Sequence, residues 1–383
     1  MLSTRSATAL YVGAVLGPGV LLLPALAARI AGPASVLAWA GLLALSIPLA
    51  ITFAALGVRW PEAGGTASYV RAAFGARAGR ATGWWFLTGV AVGAPAVALI
   101  GGFYVAELIG GGRTTAVIAG AAMVAAVLVA NSTGLHTTAR LQLGLAGLLG
   151  AMLLVAVLTA LPHSQAENWT PFAPHGWGAI GSAASVLMFA FFGWEAVSHL
   201  AGELRDPARQ LPRAIFSALT IVAVLYLGLA AATIGVGAHS DVPLADLMAS
   251  GLGETGRKVT AVLAVLLTMG TMNTYMAAAS QLAGTLVPNS RPLPWIGAIA
   301  GVLLAILAAD LISVDALMKA TSATFVAVYV AAMAAGIKLL DGRIRVAAGI
   351  GFVAVVIVFG FSGPYILVPL LIGLSIRTRA VRL

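Results

Sequence analysis

Apolar residues fill long continuous stretches of this chain and do not alternate with polar ones. Runs of about 20 residues, each bounded by charged or turn-forming residues, recur along the sequence. We place twelve of them, near 7–30, 34–58, 81–109, 114–131, 139–161, 178–202, 214–237, 257–285, 293–311, 315–338, 345–361 and 364–376. Because an open sheet would leave backbone groups unpaired in hydrocarbon, we expect every run to be helical. The pattern predicts an all-α integral membrane protein with about 12 transmembrane helices.

The composition supports a lipid-facing exterior. The chain has 383 residues, of which 61% are hydrophobic and only 9% charged, and its mean hydropathy is +1.02. Soluble proteins carry about 25% charged residues, which they need to cover a water-facing surface. No hydrophilic stretch is long enough to fold separately. We therefore expect one transmembrane domain over residues 1–376, followed by a short basic tail at 377–383.

The positions of the basic residues predict the orientation. With the N-terminus in the cytoplasm, only Arg29, Arg113, Arg257, Lys258 and Lys319 fall outside cytoplasmic loops, which leaves sixteen of the 21 Lys and Arg inside. Positive residues favour the cytoplasmic side. We predict a multi-pass protein of a bacterial inner membrane with both termini cytoplasmic, and no cleaved signal peptide. The formal charge of +9 then reflects loops beside anionic lipid, so we expect no nucleic-acid partner.

The residues that bind metals and perform catalysis are scarce. The chain has no Cys, which excludes disulfides, thiolate nucleophiles and Cys-ligated metals. Its five His are scattered without metal-ligand spacing. A membrane-embedded enzyme would need acids or His clustered at one interface, and a transporter-like sensor would add a soluble domain; neither pattern occurs. We expect no catalytic residues, no metal and no cofactor, apart from a proton or Na+ as coupling ion.

Two of the runs are interrupted near their middle. The first contains Gly17-Pro18-Gly19-Val20, and the sixth contains Phe189 to Glu195 with Gly193 inside it. Pro removes a helix donor and clashes with the preceding turn, and each Gly costs about 1 kcal/mol relative to Ala. In lipid such a break is tolerated only where it lines a cavity or is buried in protein.

The two breaks lie five runs apart on segments of opposite direction. This arrangement predicts a five-plus-five inverted repeat, with repeat one at 7–161, repeat two at 178–338 and two further helices at 345–376. In such a repeat the broken helices present free N–H groups and positive dipole ends to a substrate carboxylate. The alternative is that the glycines only allow close helix packing and that Pro18 makes a kink. The matching positions favour a substrate site.

Polar residues within the runs are candidates for coupling and gating. Glu195 lies near the bilayer centre, where burying a charge costs several kcal/mol, so we expect it to be a proton-coupling group or a gate. The alternative is a protonated or hydrogen-bonded carboxyl that only ties two helices together. His199 follows one helical turn later, and we expect its role to be structural or gating. In the eighth run, Thr271 and Asn273 could help to form a cation site against carbonyls of the first run. Ser and Thr hydroxyls also bond back to their own helix, so the alternative is that these residues form no cation site.

Three motifs carry a family resemblance. They are Leu16 to Ala25 in the first run, Pro61 to Tyr69 with Phe74-Gly75 and Gly83-Trp84 in the loop after the second, and Phe192 to Glu195 with Glu203 to Pro207 and Leu211 to Ala214 around the sixth. In order and spacing they resemble the amino acid–polyamine–organocation transporters. Within that superfamily the chain is most similar to bacterial exporters of methionine and branched-chain amino acids. Residues 195–203 and Asn273-Thr274-Tyr275 contribute to this narrower likeness.

The resemblance implies roles for residues of both breaks. Gly17, Gly19 and Val20 would hold the substrate carboxylate, and the backbone at Phe189, Phe192 and Gly193 would face its amine. Phe189 would close over the substrate and Tyr275 would line the pocket; the neighbouring Pro18 and Trp194 complete the candidate binding set. Two departures concern coupling: residues 139–161 lack the Lys that proton-coupled importers often carry there, and Pro18 removes one N–H donor.

The resemblance and the apolar candidate pocket together predict export of methionine, leucine, isoleucine or valine by alternating access, driven by protons or another cation. An importer or exchanger, or a transporter of polyamines or other organic amines, remains open. Loop 238–256 is expected to be either a lid or a plain connection. Loop 59–80 is expected to contain a helix near the inner surface that contacts the bundle. The oligomeric state is not predicted.

Overall fold

A computed structural model describes residues 3–60, 65–134, 139–195, 206–287 and 292–376. These residues form helices, turns and loops, without any strand. The α-helices are α1 Thr4–Val15, α2 Leu23–Ala31, α3 Ser35–Arg59, α4 Thr66–Phe74, α5 Ala76–Ile109, α6 Arg113–Ser132, α7 Ala139–Ala160, α8 Gly178–Leu187, α9 Pro207–Val236, α10 Pro243–Leu286, α11 Pro292–Ala308, α12 Val314–Leu339, α13 Gly342–Gly360 and α14 Leu367–Ser375. Eleven of the twelve predicted runs coincide with one of these helices or with a pair of them; the sixth coincides with α8 as far as Leu187, and its residues 196–202 lie outside the described ones. The all-α prediction is confirmed.

The described helices have membrane dimensions. Eight helical stretches are long and apolar enough to cross a membrane, and three shorter apolar ones cover Gly178–Phe191, Leu293–Ala308 and Gly363–Ser375. Large apolar side chains such as those of Phe216, Leu374 and Ile118 are 73%, 73% and 65% exposed. Side chains of this kind on the outside of a helix bundle suit contact with lipid. The five-plus-five repeat stays a prediction.

Two loops differ from simple connections. Residues 243–252 are helical and continue into the predicted eighth run across Gly253, whose φ of 65° interrupts the helix. Leu244, Leu247 and Met248 are buried, because apolar residues at this spacing share one helix face. In loop 59–80, α4 packs against α5 and α12 and buries Tyr69. The predicted contact of this loop with the bundle is therefore present.

Ion pairs join the helices at both ends of the bundle. We call the end at which α1 begins the lower end, and the opposite end the upper end. At the lower end, Arg59 of α3 pairs with Asp341 at 3.2 Å. At the upper end, Arg257 of α10 pairs with Glu107 of α5 at 2.9 Å and with Asp246 of α10 at 3.0 Å. These pairs tie the 243–252 segment to α5.

Candidate functional site

The first run breaks where its Gly-Pro-Gly sequence predicted. Helix α1 ends at Val15, Gly17 is extended with φ −102° and ψ 172°, and a 3₁₀ turn covers Pro18–Leu21 before α2 begins. Pro18 occupies the first position of that turn, where its missing N–H costs nothing because the group would lack a helical partner there anyway. The break is therefore built into the sequence.

The sixth run breaks at the same depth. Helix α8 ends at Leu187, a 3₁₀ turn covers Met188–Phe191, and Phe192 is extended. Gly193 has φ 131°, a conformation that L side chains rarely adopt. A Cβ placed on Gly193 would lie 2.2 Å from the carbonyl oxygen of Ala14 in α1. Only glycine allows this approach, and it brings the two breaks into direct backbone contact.

Side chains from other helices satisfy backbone groups at the breaks. The fully buried Tyr226 hydroxyl of α9 lies 3.0 Å from the carbonyl oxygens of both Val15 and Ala190. Tyr104 of α5 donates to the Leu21 carbonyl at 2.9 Å, and Ser322 of α12 donates to the Val186 carbonyl at 3.2 Å. Buried backbone groups need such partners when the helical ones are lost. The breaks are therefore ordered parts of the core.

Tyr226→Phe tests this role. The ring would keep its edge contacts with Trp39 and Phe191, at centroid distances of 5.0 and 5.3 Å, but the hydroxyl that contacts both breaks would be lost. Because the change weakens buried hydrogen bonding, we expect a destabilisation of about 1–3 kcal/mol, read as a lower midpoint of thermal unfolding in detergent.

Tyr11→Phe is the matched control for this prediction. Tyr11 in α1 is also fully buried, but its hydroxyl has no hydrogen-bond partner among the described residues. Removing it should leave the midpoint unchanged or raise it slightly. Equal losses in the two variants would show that the carbonyl contacts of Tyr226 contribute nothing.

Glu195 closes the second break from below. Its Oε2 accepts hydrogen bonds from the Gly193 N–H at 2.9 Å and from the Tyr329 hydroxyl of α12. The Gly193 N–H also lies 3.3 Å from the Tyr329 oxygen. Glu195 is half-buried, whereas Tyr329 is fully buried. The Glu195 side chain therefore links the unwound backbone at Gly193 to α12.

A small apolar pocket lies between the two breaks. Its volume is about 50 Å³, and it is lined by Gly17, Pro18, Gly89, Val90, Gly93, Ala94, Val97, Phe189, Phe192, Thr271, Met272, Tyr275, Met276 and Phe325. We call it the central pocket. The rings of Phe192 and Phe325 are in contact, with centroids 4.6 Å apart and planes tilted by 43°. A water needs about 10–15 Å³ of such volume, so the pocket holds roughly four groups of that size.

A larger cavity leads from the central pocket toward the lower end. This lower cavity has a volume of about 390 Å³. It shares Gly17, Thr271 and Tyr275 with the central pocket. Its polar lining adds Glu195, Thr274 and Gln142, whose amide nitrogen donates to the Thr274 hydroxyl at 2.6 Å. The site therefore joins a small apolar pocket to a larger, mainly apolar cavity that carries Glu195, Gln142 and Thr274, and Gly17 lines both.

The route to the upper end is packed. Leu21 and Leu23 of the first run, Tyr104 of α5 and Leu247 of the 243–252 segment are fully buried or nearly so. The described residues thus pack closely above the central pocket, while the lower cavity adjoins it on the opposite side.

The predicted binding residues separate into two groups. Gly17, Pro18, Phe189, Phe192, Tyr275 and Thr271 line the central pocket, and Gly193 and Glu195 line the lower cavity. The other predicted residues make different contacts. A Cβ on Gly19 would meet Leu23 and Phe189 at 2.9 Å, Val20 is fully buried, Trp194 donates to Ser46 at 3.0 Å, and Asn273 accepts from Asn131 at 2.5 Å. His199 lies outside the described residues.

Sequence reasoning missed several lining residues. Gln142 is the only amide in residues 139–161, and its place inside an apolar run is a signal that we did not use. Tyr329 and Tyr226 are polar residues in the middle of runs and gave the same signal. By contrast, Gly89, Gly93, Met272, Met276 and Phe325 have no sequence pattern that separates them from ordinary packing residues.

Two comparisons with known sequences match this architecture. The profile described as amino acid permease matches residues 2–375. The chain belongs to the amino acid permease family. YecA of Bacillus subtilis, described as an uncharacterized amino acid permease, is 34% identical to this permease over 94% of this chain and 91% of its own. YjeH of Escherichia coli, described as an L-methionine/branched-chain amino acid exporter, is 32% identical over 91% of this chain and 88% of its own.

Solved structures agree on the fold. A mutant of the Eremococcus coleocola manganese transporter superposes with a TM-score of 0.61 over 97% of this chain and 90% of that one. The two sequences are 13% identical, so the likeness concerns the fold alone. Together with the family, it makes this permease a multi-pass membrane transporter with an amino acid as its small-molecule substrate, and not an enzyme.

Proposed function

We propose that this permease exports small apolar amino acids, namely methionine, leucine, isoleucine and valine, by alternating access coupled to a proton or another cation. The observation that carries the substrate class is the small apolar central pocket, which meets at Gly17 a larger cavity that carries the Glu195 carboxyl. A bacterial inner membrane and two cytoplasmic termini belong to the same proposal, supported by the distribution of basic residues.

The size of the central pocket favours aliphatic side chains. Room for roughly four water-sized groups corresponds to the roughly four non-hydrogen atoms of a methionine, leucine or isoleucine side chain. A phenylalanine or tryptophan ring exceeds this space in the described state. The thioethers of Met272 and Met276 can adjust to branched or linear groups, since methionine side chains are flexible and polarizable.

The polar half of the substrate would lie at Gly17 and in the lower cavity. The hydrogen bond from the Val20 N–H to the Gly17 carbonyl is long, with 3.4 Å between N and O. A substrate carboxylate could therefore replace it at small cost. The carboxylate of Glu195, which lines the lower cavity, is suited to the ammonium group. Among the described lining residues of the two cavities Glu195 is the only charged one, which disfavours polyamines.

Export and coupling rest on other observations. YjeH, whose description names an exporter of L-methionine and branched-chain amino acids, is similar over most of both chains. The candidate for proton coupling is Glu195, because its oxygen bonds the unwound Gly193 N–H. The Asn273 side-chain oxygen already accepts a hydrogen bond from Asn131, which weakens the case for a cation site with Thr271 and Asn273.

Uptake into inside-out proteoliposomes tests the proposal. We expect labelled methionine and leucine, but not arginine, to accumulate when a pH gradient directed as in the cell is imposed. Accumulation only in exchange for preloaded amino acid would make this permease an exchanger, and accumulation only in the opposite direction would make it an importer. Transport of arginine or a polyamine in preference to methionine would contradict the substrate class.

Gly17→Ala is expected to weaken substrate binding without unfolding the protein. Gly17 has a φ that alanine adopts, and its Cβ would meet nothing within 4 Å. The added methyl would occupy the junction of the two compartments. We expect the KM for methionine to rise about tenfold, since overpacking of this kind costs about 1–3 kcal/mol.

Gly144→Ala provides the comparison for this variant. Its Cβ also meets nothing within 4 Å, but Gly144 lines neither compartment. Its KM should stay at the wild-type value. An unchanged KM in Gly17→Ala would remove Gly17 from the binding site.

A further inference from the structure

A groove on the outer surface of the bundle is not used by the proposed transport path. It has a volume of about 700 Å³ and lies between α1, α7 and α9. Its apolar walls include Leu143 and Leu154 of α7 and Ile221 of α9, and these side chains are 37%, 43% and 42% exposed. In a bilayer this groove faces hydrocarbon.

The groove has the length of one lipid leaflet. A Cβ on Gly13 would lie 3.1 Å from the Ala146 Cβ, and one on Gly150 would lie 3.5 Å from the Leu16 side chain. These contacts show that α1 and α7 run side by side in the same direction. From Leu143 to Leu154 the groove extends about 16 Å along α7, against roughly 15 Å for half of the hydrocarbon thickness.

One end of the groove carries positive charge. Arg5 lies at its lower end beside Thr4 and Thr8 and is the only charged residue among the described ones that line it. Its side chain is exposed, and none of the described carboxylates pairs with it. Basic pockets between transmembrane helices attract anionic headgroups on the cytoplasmic side.

A second apolar groove, between α3 and α9, shows why this charge matters. It is larger, at about 1140 Å³, but its described polar lining includes both Arg59 and Asp206. Arg59 is already paired with Asp341. That groove therefore offers apolar surface without an unpaired positive charge, and it has no feature that distinguishes an anionic lipid from a neutral one.

We infer that the α1–α7–α9 groove binds one anionic phospholipid, with an acyl chain along α7 and the phosphate at Arg5. Thr4 and Thr8 supply hydroxyl donors at the headgroup. Leu16, Leu143 and Ala146 line both this groove and the lower cavity. The bound lipid thus lies directly behind the cavity wall and supports α1 next to the first break.

Native mass spectrometry with two lipids of identical acyl chains tests this inference. The protein is purified with equal amounts of dioleoyl phosphatidylglycerol and dioleoyl phosphatidylcholine, and the retained lipids are counted. We expect one phosphatidylglycerol to be retained preferentially. Arg5→Gln should reduce that preference about fivefold, and Arg5→Lys should keep most of it because an ammonium also binds phosphate.

A variant of the groove wall tests the contribution of the acyl chain to lipid binding separately from that of the Arg5 charge. A Cβ on Gly147 meets nothing within 4 Å and Gly147 lines the groove, so Gly147→Leu should fill it and lower lipid retention with Arg5 intact. Two control variants should retain lipid like the wild type. Gly144→Leu changes the same helix outside the groove, and Arg343→Gln changes an exposed residue at the same end of the bundle.

Two results would overturn the inference. Equal retention of the two lipids by the wild type would mean that the groove holds ordinary annular lipid. Unchanged preference in both Arg5→Gln and Gly147→Leu would place the bound lipid elsewhere. Thermal unfolding midpoints within the wild-type range identify variants that are correctly folded, and the readout does not depend on which substrate is transported.

Discussion

Gly193→Ala is expected to abolish transport and to lower the thermal unfolding midpoint by about 5 °C or more. The new Cβ would lie 2.2 Å from the Ala14 carbonyl oxygen and 2.6 Å from its carbon. Both atoms are backbone and cannot rotate away. Residue 193 also has φ 131°, which alanine adopts only with strain. Overpacking and strain together should cost at least about 3 kcal/mol.

The decisive feature of this prediction is its contrast with another glycine. Gly17 lies in the other break, where an added Cβ would meet no described atom within 4 Å. Gly17→Ala should therefore unfold at the wild-type temperature. The two variants are compared by thermal unfolding in detergent and by methionine flux in proteoliposomes. A Gly193→Ala protein with normal stability and flux would show that the two breaks do not need their close contact.

Glu195→Gln is expected to remove the dependence of transport on the pH gradient. Glutamine has the same shape and keeps one oxygen that can accept from the Gly193 N–H and the Tyr329 hydroxyl, but it cannot bind or release a proton. A gradient of one pH unit supplies about 1.36 kcal/mol for each coupled proton, which is enough for about tenfold accumulation of methionine. We therefore expect about tenfold accumulation in the wild type and none in the variant.

Exchange measurements decide what a loss of accumulation means. If Glu195 serves only coupling, Glu195→Gln should still exchange labelled for unlabelled methionine across the membrane. Glu167→Gln, in the loop before α8 and exposed, controls for the loss of one carboxylate and should behave like the wild type. Gradient-driven accumulation that survives in Glu195→Gln would assign coupling to another group.

The helical architecture and the breaks could be predicted because they depend on local properties. A run of about 20 apolar residues must be helical in lipid, whatever surrounds it. Gly17-Pro18-Gly19 interrupts a helix through the missing donor of Pro18 and the freedom of its neighbours. The helix at 243–252 was not predicted, because Asp241, Asp246 and Glu254 are typical of a loop. Its buried face depends on contacts with α5.

The site was predictable only in part because lining a cavity is a property of several helices at once. Gly17, Phe189 and Tyr275 were found through the breaks and the family likeness. Trp194 lies one residue from Glu195 but points toward Ser46 of α3, a direction that the sequence does not encode. The size of the central pocket likewise depends on Phe325, which comes from α12, far along the chain.

By itself the sequence determined the membrane environment, the helical structure and approximate bounds of the apolar runs, the positions of both breaks and the acidic residue beside one of them. These follow from hydrophobicity and backbone chemistry, which act within a few residues. The tertiary structure alone decided that the breaks touch through Gly193 and Ala14, that Tyr226 contacts both, and that an apolar pocket meets the cavity of Glu195 at Gly17. Those features arise from residues on different helices, whose packing is fixed only when all the helices are in place.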